Sequence, residues 1–492
     1  MITPASVTSG ATVLSTTSSL CPTCKRGVSA DIVELDGRIL MRKTCPDHGP
    51  SEVLIASDAA WYHRTMAFPA VLKAPVATKP VSGGCPYDCG ACSSHQQAVY
   101  LPVIPITSAC NLNCPICYTI NKNEGAHHIS LDEFKRTLDV IKRNDPAMKI
   151  INLTGGEPTM HPQLVEIIRL CHDAGLHRVT ISTHGLTFIK DTQLLAALAE
   201  LDARMVLSFD SFDELTNKKM LGAKLHSSKM AVLEQFERFN VDTTLLAVVA
   251  MGVNDQEVGS LLNLALSRPF IRSLEVHTMT FTGQGGTSFD QTARITTPEV
   301  LRRIASGSNG RIRIEDFTPS PCAHPLCYQT CYLLQTGAQD FVPFARFMSI
   351  DNIRHLLTDN LYMEPGERME TVVRQVIDEL WAMDIPSATS ATVLAALKQL
   401  LHDLFPARAL PYHRQQIIAE RSAKTIYLHS HMDEGNFDTD RIRQCCVGVP
   451  SADGGNTPTC SYNILYRERD PRFSTRQVPP LSTLPGGRIW KP

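Results

Sequence analysis

The chain has 492 residues, enough for two or three domains, with 47 basic against 49 acidic side chains and a formal charge of −2. That balance gives no electrostatic case for nucleic acid as a partner, and no run of about 18 apolar residues is present to span a membrane. Sixteen cysteines fall in five close groups plus Cys171, which suits metal ligation in a reducing cytoplasm better than a disulfide framework.

Residues 1–20 are rich in Ser and Thr, with no basic start and no continuous apolar core. They are expected to form a disordered tail rather than a signal peptide. A metal module is expected over residues 21–80, where Cys21-Pro-Thr-Cys24 and Cys45-Pro-Asp-His48 flank a β-like stretch from Ile32 to Met41. Three thiols and an imidazole suit tetrahedral zinc or mononuclear iron, in a zinc-ribbon or rubredoxin-like fold. The plain alternative for His48 is an exposed turn residue. Residues 81–100 carry Cys85, Cys89 and Cys92 in C-x3-C-x2-C spacing, expected to seat an auxiliary cluster.

Residues 101–320 alternate short apolar strands with amphipathic helices. Strands are expected at Val103–Ser108, Lys149–Thr154, Arg178–Ser182, Met205–Phe209, Thr243–Val249 and Ser273–Thr278. Ser130 to Glu133 reads as a capping box, and Thr297-Pro298-Glu299 as a cap, an N1 proline and an acidic first turn. The resulting α/β class is a partial, open (β/α)6 barrel, with its functional groups at the C-terminal strand ends.

After the first strand comes Cys110-Asn-Leu-Asn-Cys114-Pro-Ile-Cys117. Three thiolates this close hold three irons of a cubane cluster and leave the fourth open; a zinc knuckle or a closed electron-transfer cluster is the bland alternative. The second strand ends in Thr154-Gly155-Gly156-Glu157, which is otherwise an ordinary βα turn. The third ends in Ser182-Thr183-His184-Gly185 and the fourth in Ser208-Phe209-Asp210. The sixth runs into Gly283-Gln-Gly-Gly286, a candidate wall of the site.

Residues 321–466 carry Cys322, Cys327 and Cys331, then Cys445, Cys446 and Cys460, with helices expected at Met369–Met383, Ala391–Leu404 and Arg414–Ile426. Residues 467–492 read as a tail. Cys171 follows an apolar helical run and reads as a buried core thiol. Setting it aside, with the ribbon and Cys110 groups, leaves nine cysteines for two four-thiolate clusters. The expectation is that Cys85, Cys89 and Cys92 nucleate one and Cys322, Cys327 and Cys331 the other, with Cys445, Cys446 and Cys460 completing them.

The cysteine spacing and the GGE run resemble the radical SAM superfamily. That resemblance implies one 4Fe–4S cluster on Cys110, Cys114 and Cys117, with S-adenosylmethionine on the open iron. It implies Gly155, Gly156 and Glu157 at the ammonium group, Ile116 against adenine, and Ser208 and Asp210 at the ribose hydroxyls or methionyl carboxylate. His184 departs from the asparagine common in relatives and receives no role. The order of motifs from about residue 20 to 465 is similar to the group containing tetraether lipid synthases and hydroxymethyldihydropterin methyltransferases. This implies carbon–carbon coupling of unactivated lipid alkyl chains, aided by auxiliary 4Fe–4S clusters. It also implies an electron donor such as ferredoxin or flavodoxin, and peripheral contact with a membrane. The alternatives are methylation or other modification of a small molecule such as a pterin, which needs a compact polar pocket, and a non-catalytic electron-transfer protein.

Overall fold

The structure, a computed structural model, describes residues 10–76, 80–90, 92–119, 125–382 and 388–474, with 478 and 481. An N-terminal antiparallel sheet takes β1 (Thr12–Leu20), β2 (Gly27–Leu35), β3 (Arg38–Cys45) and β4 (Gly49–Ala56) in sequential order, and α1 (Ala59–Met66) follows, capped by Asp58.

The expected tail of residues 1–20 is therefore corrected: residues 1–9 lie outside the described part, but Thr12–Leu20 is a strand paired with β2. Its Ser and Thr side chains have a use that composition hides. Thr17 Oγ1 donates to Asp438 Oδ1 at 2.7 Å and Ser19 Oγ to the Phe437 carbonyl at 2.5 Å, docking the sheet on the C-terminal part of the chain. Lys43 is buried beside them and donates to Ser19 Oγ and to the Glu434 and Gly435 carbonyls.

The barrel strands are β5 (Leu101–Thr107), β6 (Ile150–Gly155), β7 (Arg178–Thr183), β8 (Arg204–Ser208), β9 (Thr243–Val249) and β10 (Ile271–Thr278), all parallel and in chain order. Each apolar strand is followed by an amphipathic helix that covers it, the geometry a parallel sheet requires. The helices are α2 (Leu131–Asn144), α3 (Leu164–Asp173), α4 (Thr192–Glu200), α5 (Glu214–Leu221), α6 (His226–Arg238) and α7 (Val258–Ser267). Ser130 Oγ caps α2 by accepting from Glu133 N, while the Glu133 carboxylate pairs with Arg472, so the expected box forms in one direction. A short α8 (Gly285–Ser288) and then α9 (Thr297–Gly307) complete the set. The cap of α9 is Thr296, one residue earlier than expected, because the Glu299 carboxylate accepts from Thr296 N at 2.7 Å.

The sheet extends beyond six strands. β11 (Thr318–Pro319), β12 (Tyr328–Gln335) and β13 (Phe341–Pro343) flank β14 (Ala423–His429), which lies parallel to β10. On the other edge β15 (Val447–Pro450) runs parallel to β5 and pairs with β16 (Asn456–Pro458). Helices α10 (Ile350–Leu357), α11 (Glu367–Trp381), α12 (Ala388–Leu404) and α13 (Tyr412–Arg421) follow β13, and α10 to α12 build a second apolar core against Tyr332, Leu334 and Tyr427.

The helix expected at Arg414–Ile426 thus stops at Arg421. The apolar run after it is buried on both faces as β14, which a helical reading of periodicity does not separate from a core helix. Met383, the end of another expected helix, lies outside the described residues. The tail expected at residues 467–492 is corrected in its described part, where Arg467 and Phe473 are buried and Arg472 pairs with Glu133. Among the described residues, no helix is long and apolar enough to cross a membrane.

Helix α13 is tied to the barrel by one carboxylate. Glu420 accepts from Arg178 Nε and Arg204 Nε, each at 2.6 Å, at the N-terminal ends of β7 and β8. Glu420 is held below the ordinary carboxylate value: burial opposes this, but the two guanidinium groups outweigh it. A depressed folded-state value means the stabilisation is fully present above the unfolded value near 4.5 and is lost as pH falls toward the folded one. Glu420→Gln should cost about 3 kcal/mol at pH 7 by leaving two largely buried cations without their counterion. In denaturant titrations that difference from the parent should shrink steadily below about pH 4.5.

Candidate active site and metal centres

Cys110, Cys114 and Cys117 lie in a loop leaving the C-terminal end of β5, and glycine turns clasp that loop. Gly156 N donates to the Thr107 carbonyl and Glu157 N to the Ala109 carbonyl, both at 2.7 Å, so β6 continues alongside the chain entering Cys110. A Cβ on Gly156 would sit 2.1 Å from Ala109 O, and one on Gly155, whose φ is +145°, would sit 2.1 Å from Thr107 O. The two glycines of the GGE run are therefore required by the strand beside them, before any ligand is considered. On the opposite side Gly285 N donates to the Cys117 carbonyl at 3.0 Å, and Gln284 Nε2 to Asn113 Oδ1 at 2.7 Å. The Gly283–Gly286 run, expected to wall the site, thus packs on the cysteine loop.

A cavity of about 280 Å³ opens over this loop, lined by Cys110, Cys114 and Cys117 together with Ile116, Gly155, Gly156, Glu157, Ser208 and Asp210. The structure gathers every residue named for the radical centre around one space. Burial pushes the Cys110 thiol up to about 11 and raises Cys114 further, with Cys117, Cys110 and Asp210 adding to the second. Coordination to a metal would deprotonate these thiols. Three of them on one loop match the donor set of a 4Fe–4S cluster with an open iron.

Glu157 is 1% exposed and already engaged. Its Oε1 accepts from Thr183 Oγ1 at 2.6 Å and Thr159 Oγ1 at 2.8 Å, and its Oε2 from His184 N at 2.9 Å. His184, left without a role by the sequence, connects this carboxylate to the cysteine loop: its Nε2 lies 3.2 Å from Glu157 Oε2 and 2.6 Å from Asn111 Oδ1. Lys229, from α6, escaped the sequence reading. It is 1% exposed and donates to the His184 carbonyl, the Ser208 carbonyl and Ser208 Oγ at 2.9, 2.7 and 2.9 Å. Burial draws its ammonium down to about 8, against the pull of Asp210. Asp210 accepts from Val248 N at 2.8 Å and is raised by burial. A buried lysine inside a helical repeat has no sequence signature; only packing reveals it.

The same cavity is also lined by Asn152, Glu275, His277, His429 and His431. Burial, with the neighbouring histidines and Arg441, holds His429 and His431 well below the ordinary histidine value. Below them a second cavity of about 80 Å³ shares Arg178, Tyr362 and Tyr427 with the first and continues among Leu356, Met369 and Val373.

In the N-terminal module Cys21, Cys24, Cys45 and His48 converge. Cys24 Sγ lies 3.9 Å from Cys45 Sγ, and His48 Nδ1 lies 3.5 Å from Cys45 Sγ and 3.7 Å from Cys21 Sγ. A tetrahedral ion about 2.3 Å from sulfur and about 2.0 Å from nitrogen sets its ligand atoms about 3.5–3.8 Å apart, so the donor set fits. The hydrogen bond with His48 draws the Cys45 thiol down to about 6.

The remaining cysteines divide differently from expectation. Cys85, Cys89 and Cys92 line a small cavity with His95 and Arg443, and burial, with the neighbouring thiols, raises Cys85 and Cys89. Cys322 and Cys446 are 3.6 Å apart, with Cys327 and Cys445 packed against them, and the Cys460 thiol interacts with Cys327 and Cys445. Cys445, Cys446 and Cys460 therefore join Cys322 and Cys327 instead of completing both groups. Cys331 is corrected outright. It lies inside β12, packed in the barrel core with Leu333 and Ile426, and its charged neighbours are Asp316 and Arg346, not thiols. Strand alternation decides which way it faces, and the C-x3-C spacing ignores that. Cys171 is a core thiol, as read, with 0% exposure.

Comparison with known proteins agrees with this geometry. Residues 104–265 match the family described as the Radical SAM superfamily, and residues 13–57 that described as the HMPTM N-terminal zinc ribbon domain. The chain is 28% identical over 486 residues to the 7,8-dihydro-6-hydroxymethylpterin dimethyltransferase of Methanocaldococcus jannaschii, covering 93% of this chain and 95% of that protein. It is 30% identical over 162 residues to the probable GTP 3′,8-cyclase of Pyrococcus abyssi, covering 33% of this chain and about half, 51%, of that enzyme. Among solved structures, Streptococcus suis SuiB bound to S-adenosylmethionine aligns over 44% of this chain and 48% of that one, with a TM-score of 0.35 and 17% identity.

The clasp can be broken without touching a cysteine. Gly156→Ala forces a methyl group into the Ala109 carbonyl, an overpacking cost of roughly 1–3 kcal/mol or more. After anaerobic reconstitution this variant should lack one cluster's iron and sulfide, while retaining the metal of the N-terminal module.

Proposed function

From the premise that this is a radical SAM enzyme with an N-terminal zinc ribbon domain, we propose that it transfers a methyl group to a small heterocycle of the pterin class. The observation that carries this reading is similarity to a pterin dimethyltransferase along almost the whole chain, across ribbon, barrel and C-terminal region. The barrel interior supports it. Asn152, Asp210, Glu275 and three histidines give the cavity the donors and acceptors that a nitrogen- and oxygen-rich ring needs.

In this reading Cys110, Cys114 and Cys117 hold three irons of the radical cluster. When bound, that cluster would supply an electron that splits S-adenosylmethionine into methionine and a 5′-deoxyadenosyl radical able to take hydrogen from unactivated carbon; the transferred methyl would come from a separate donor such as a second S-adenosylmethionine, which leaves as S-adenosylhomocysteine. The protein's own part is placement. Ile116, packed among Met220, Leu221 and Met279, offers an apolar surface for adenine. Ser208 and Asp210, the first fixed by Lys229 and the second by Val248 N, face the ribose hydroxyls or the methionyl carboxylate. Gly155 and Gly156 present backbone toward the ammonium group. Glu157, its oxygens held by Thr159, Thr183 and His184, contributes negative charge and locks the cysteine loop through Asn111. Cys85, Cys89 and Cys92 would seat one auxiliary cluster, and the Cys322, Cys327, Cys445, Cys446 and Cys460 group another. An electron donor of the ferredoxin or flavodoxin class completes the system.

Carbon–carbon coupling of lipid alkyl chains is the second reading. What favours it is the compartment below the barrel, where Leu356, Met369, Val373, Leu397 and Leu400 form one side of the lining and Arg178, Tyr362 and Tyr427 are shared with the upper cavity.

The two readings separate in one experiment. Anaerobically reconstituted enzyme, given a reductant and S-adenosylmethionine, is offered 6-hydroxymethyl-7,8-dihydropterin or an archaeal-type dialkyl lipid. Deoxyadenosine formation should rise with the pterin, and mass spectrometry should show methylated product. Stimulation by the lipid alone would reverse the order of the readings. Cys114→Ala should abolish deoxyadenosine formation, whereas Cys446→Ala should still form it but lose product.

A further inference from the structure

His277, next to the last residue of β10, and His429, the last of β14, are paired in register across the parallel strands, and His431 follows two residues on. One ring nitrogen from each lies within 4.8 Å of the other two. The rings are held in place: Tyr328 stacks on His429 with centroids 3.9 Å apart, Tyr118 stacks on His431 at 5.8 Å, and Glu275 Oε1 lies 2.8 Å from His277 Nε2. His429 is 8% exposed, yet among the described residues neither of its ring nitrogens makes a hydrogen bond. His429 lines the cavity, so a ligand there can reach its ring. Neutral imidazole is also the commonest protein ligand for divalent transition metals.

We propose that His277, His429 and His431 bind a divalent first-row transition ion inside the barrel, at a metal centre that borders the five-cysteine group, where His431 Nδ1 lies 3.6 Å from Cys460 Sγ. Glu275 accompanies the three imidazoles as a carboxylate that orients His277 or joins the donor set, an arrangement that tunes bound metals elsewhere. Three histidines leave coordination positions free, as catalytic and ligand-binding sites require. These open toward the cavity that also contains Cys110, Cys114 and Cys117. The ion would anchor an oxygen or nitrogen donor of the substrate. A pterin, with a carbonyl oxygen beside a ring nitrogen, is suited to chelate it, and this last assignment rests on the function proposed above.

Cobalt(II) alone, supplied to the anaerobically reconstituted full-length enzyme and read at the cobalt X-ray absorption edge, avoids interference from cluster iron. The expected result is one cobalt per chain with only nitrogen and oxygen neighbours, in addition to any thiolate-bound cobalt in the ribbon. His277→Gln and His429→Gln should remove that component while leaving cluster iron and sulfide unchanged, which separates ligand loss from misfolding. Glu275→Gln should weaken it by about 10- to 100-fold. Cobalt bound only by sulfur, or an unchanged nitrogen–oxygen component in both histidine variants, overturns the site. Adding 6-hydroxymethyl-7,8-dihydropterin should alter the cobalt edge. An unaltered edge overturns chelation of the pterin, leaves the metal site standing, and is distinct from a failure to methylate.

Discussion

The architecture turns on a backbone contact: the end of β6 lies so close to the end of β5 that only glycine fits between them. Gly155 and Gly156 each meet backbone oxygen at 2.1 Å from where a Cβ would be, and the hydrogen bonds from Gly156 N and Glu157 N secure the strand that delivers Cys110. From the other side Gly285 holds the Cys117 carbonyl. Three thiols on a free loop would sample many arrangements. Fixed at both ends to the barrel, they present one, which a cluster needs if it is to bind without ordering the chain at the same time.

Around that clasp the protein buries charge in a connected set. Glu157 is satisfied by Thr159, Thr183 and His184, His184 reaches Asn111 in the cysteine loop, and Lys229 links the His184 and Ser208 carbonyls. Each member is hydrogen-bonded, the condition under which a buried polar network rigidifies instead of destabilising. Lys229 also carries positive charge toward Asp210 and Cys114, which lowers the cost of thiolate character at the cavity wall.

The C-terminal stretch that follows β14 acts as a common scaffold. It accepts Lys43 from the ribbon at Glu434 and Gly435, supplies Arg441 against Cys327 and the Ser430 carbonyl, and returns Arg467 to the Gly155 carbonyl at 3.4 Å. The N-terminal metal module, the five-cysteine group and the radical loop are thereby joined through one segment.

The sequence alone determined what depends on local chemistry. The spacing of Cys110, Cys114 and Cys117, the GGE turn, the six strands of the barrel and the ribbon donors Cys21, Cys24, Cys45 and His48 were all legible, because each is a short pattern whose ligand distances or periodicity follow from the chain itself. Tertiary structure decided what depends on which way a side chain faces and what comes beside it. Cys331 turns into the core because its strand alternates, Ser and Thr of β1 become docking groups, and residues 423–429 become a seventh parallel strand instead of the end of a helix. His184, Lys229 and the convergence of His277, His429 and His431 were likewise invisible, since their partners lie on other strands and helices and only folding brings those atoms within bonding distance.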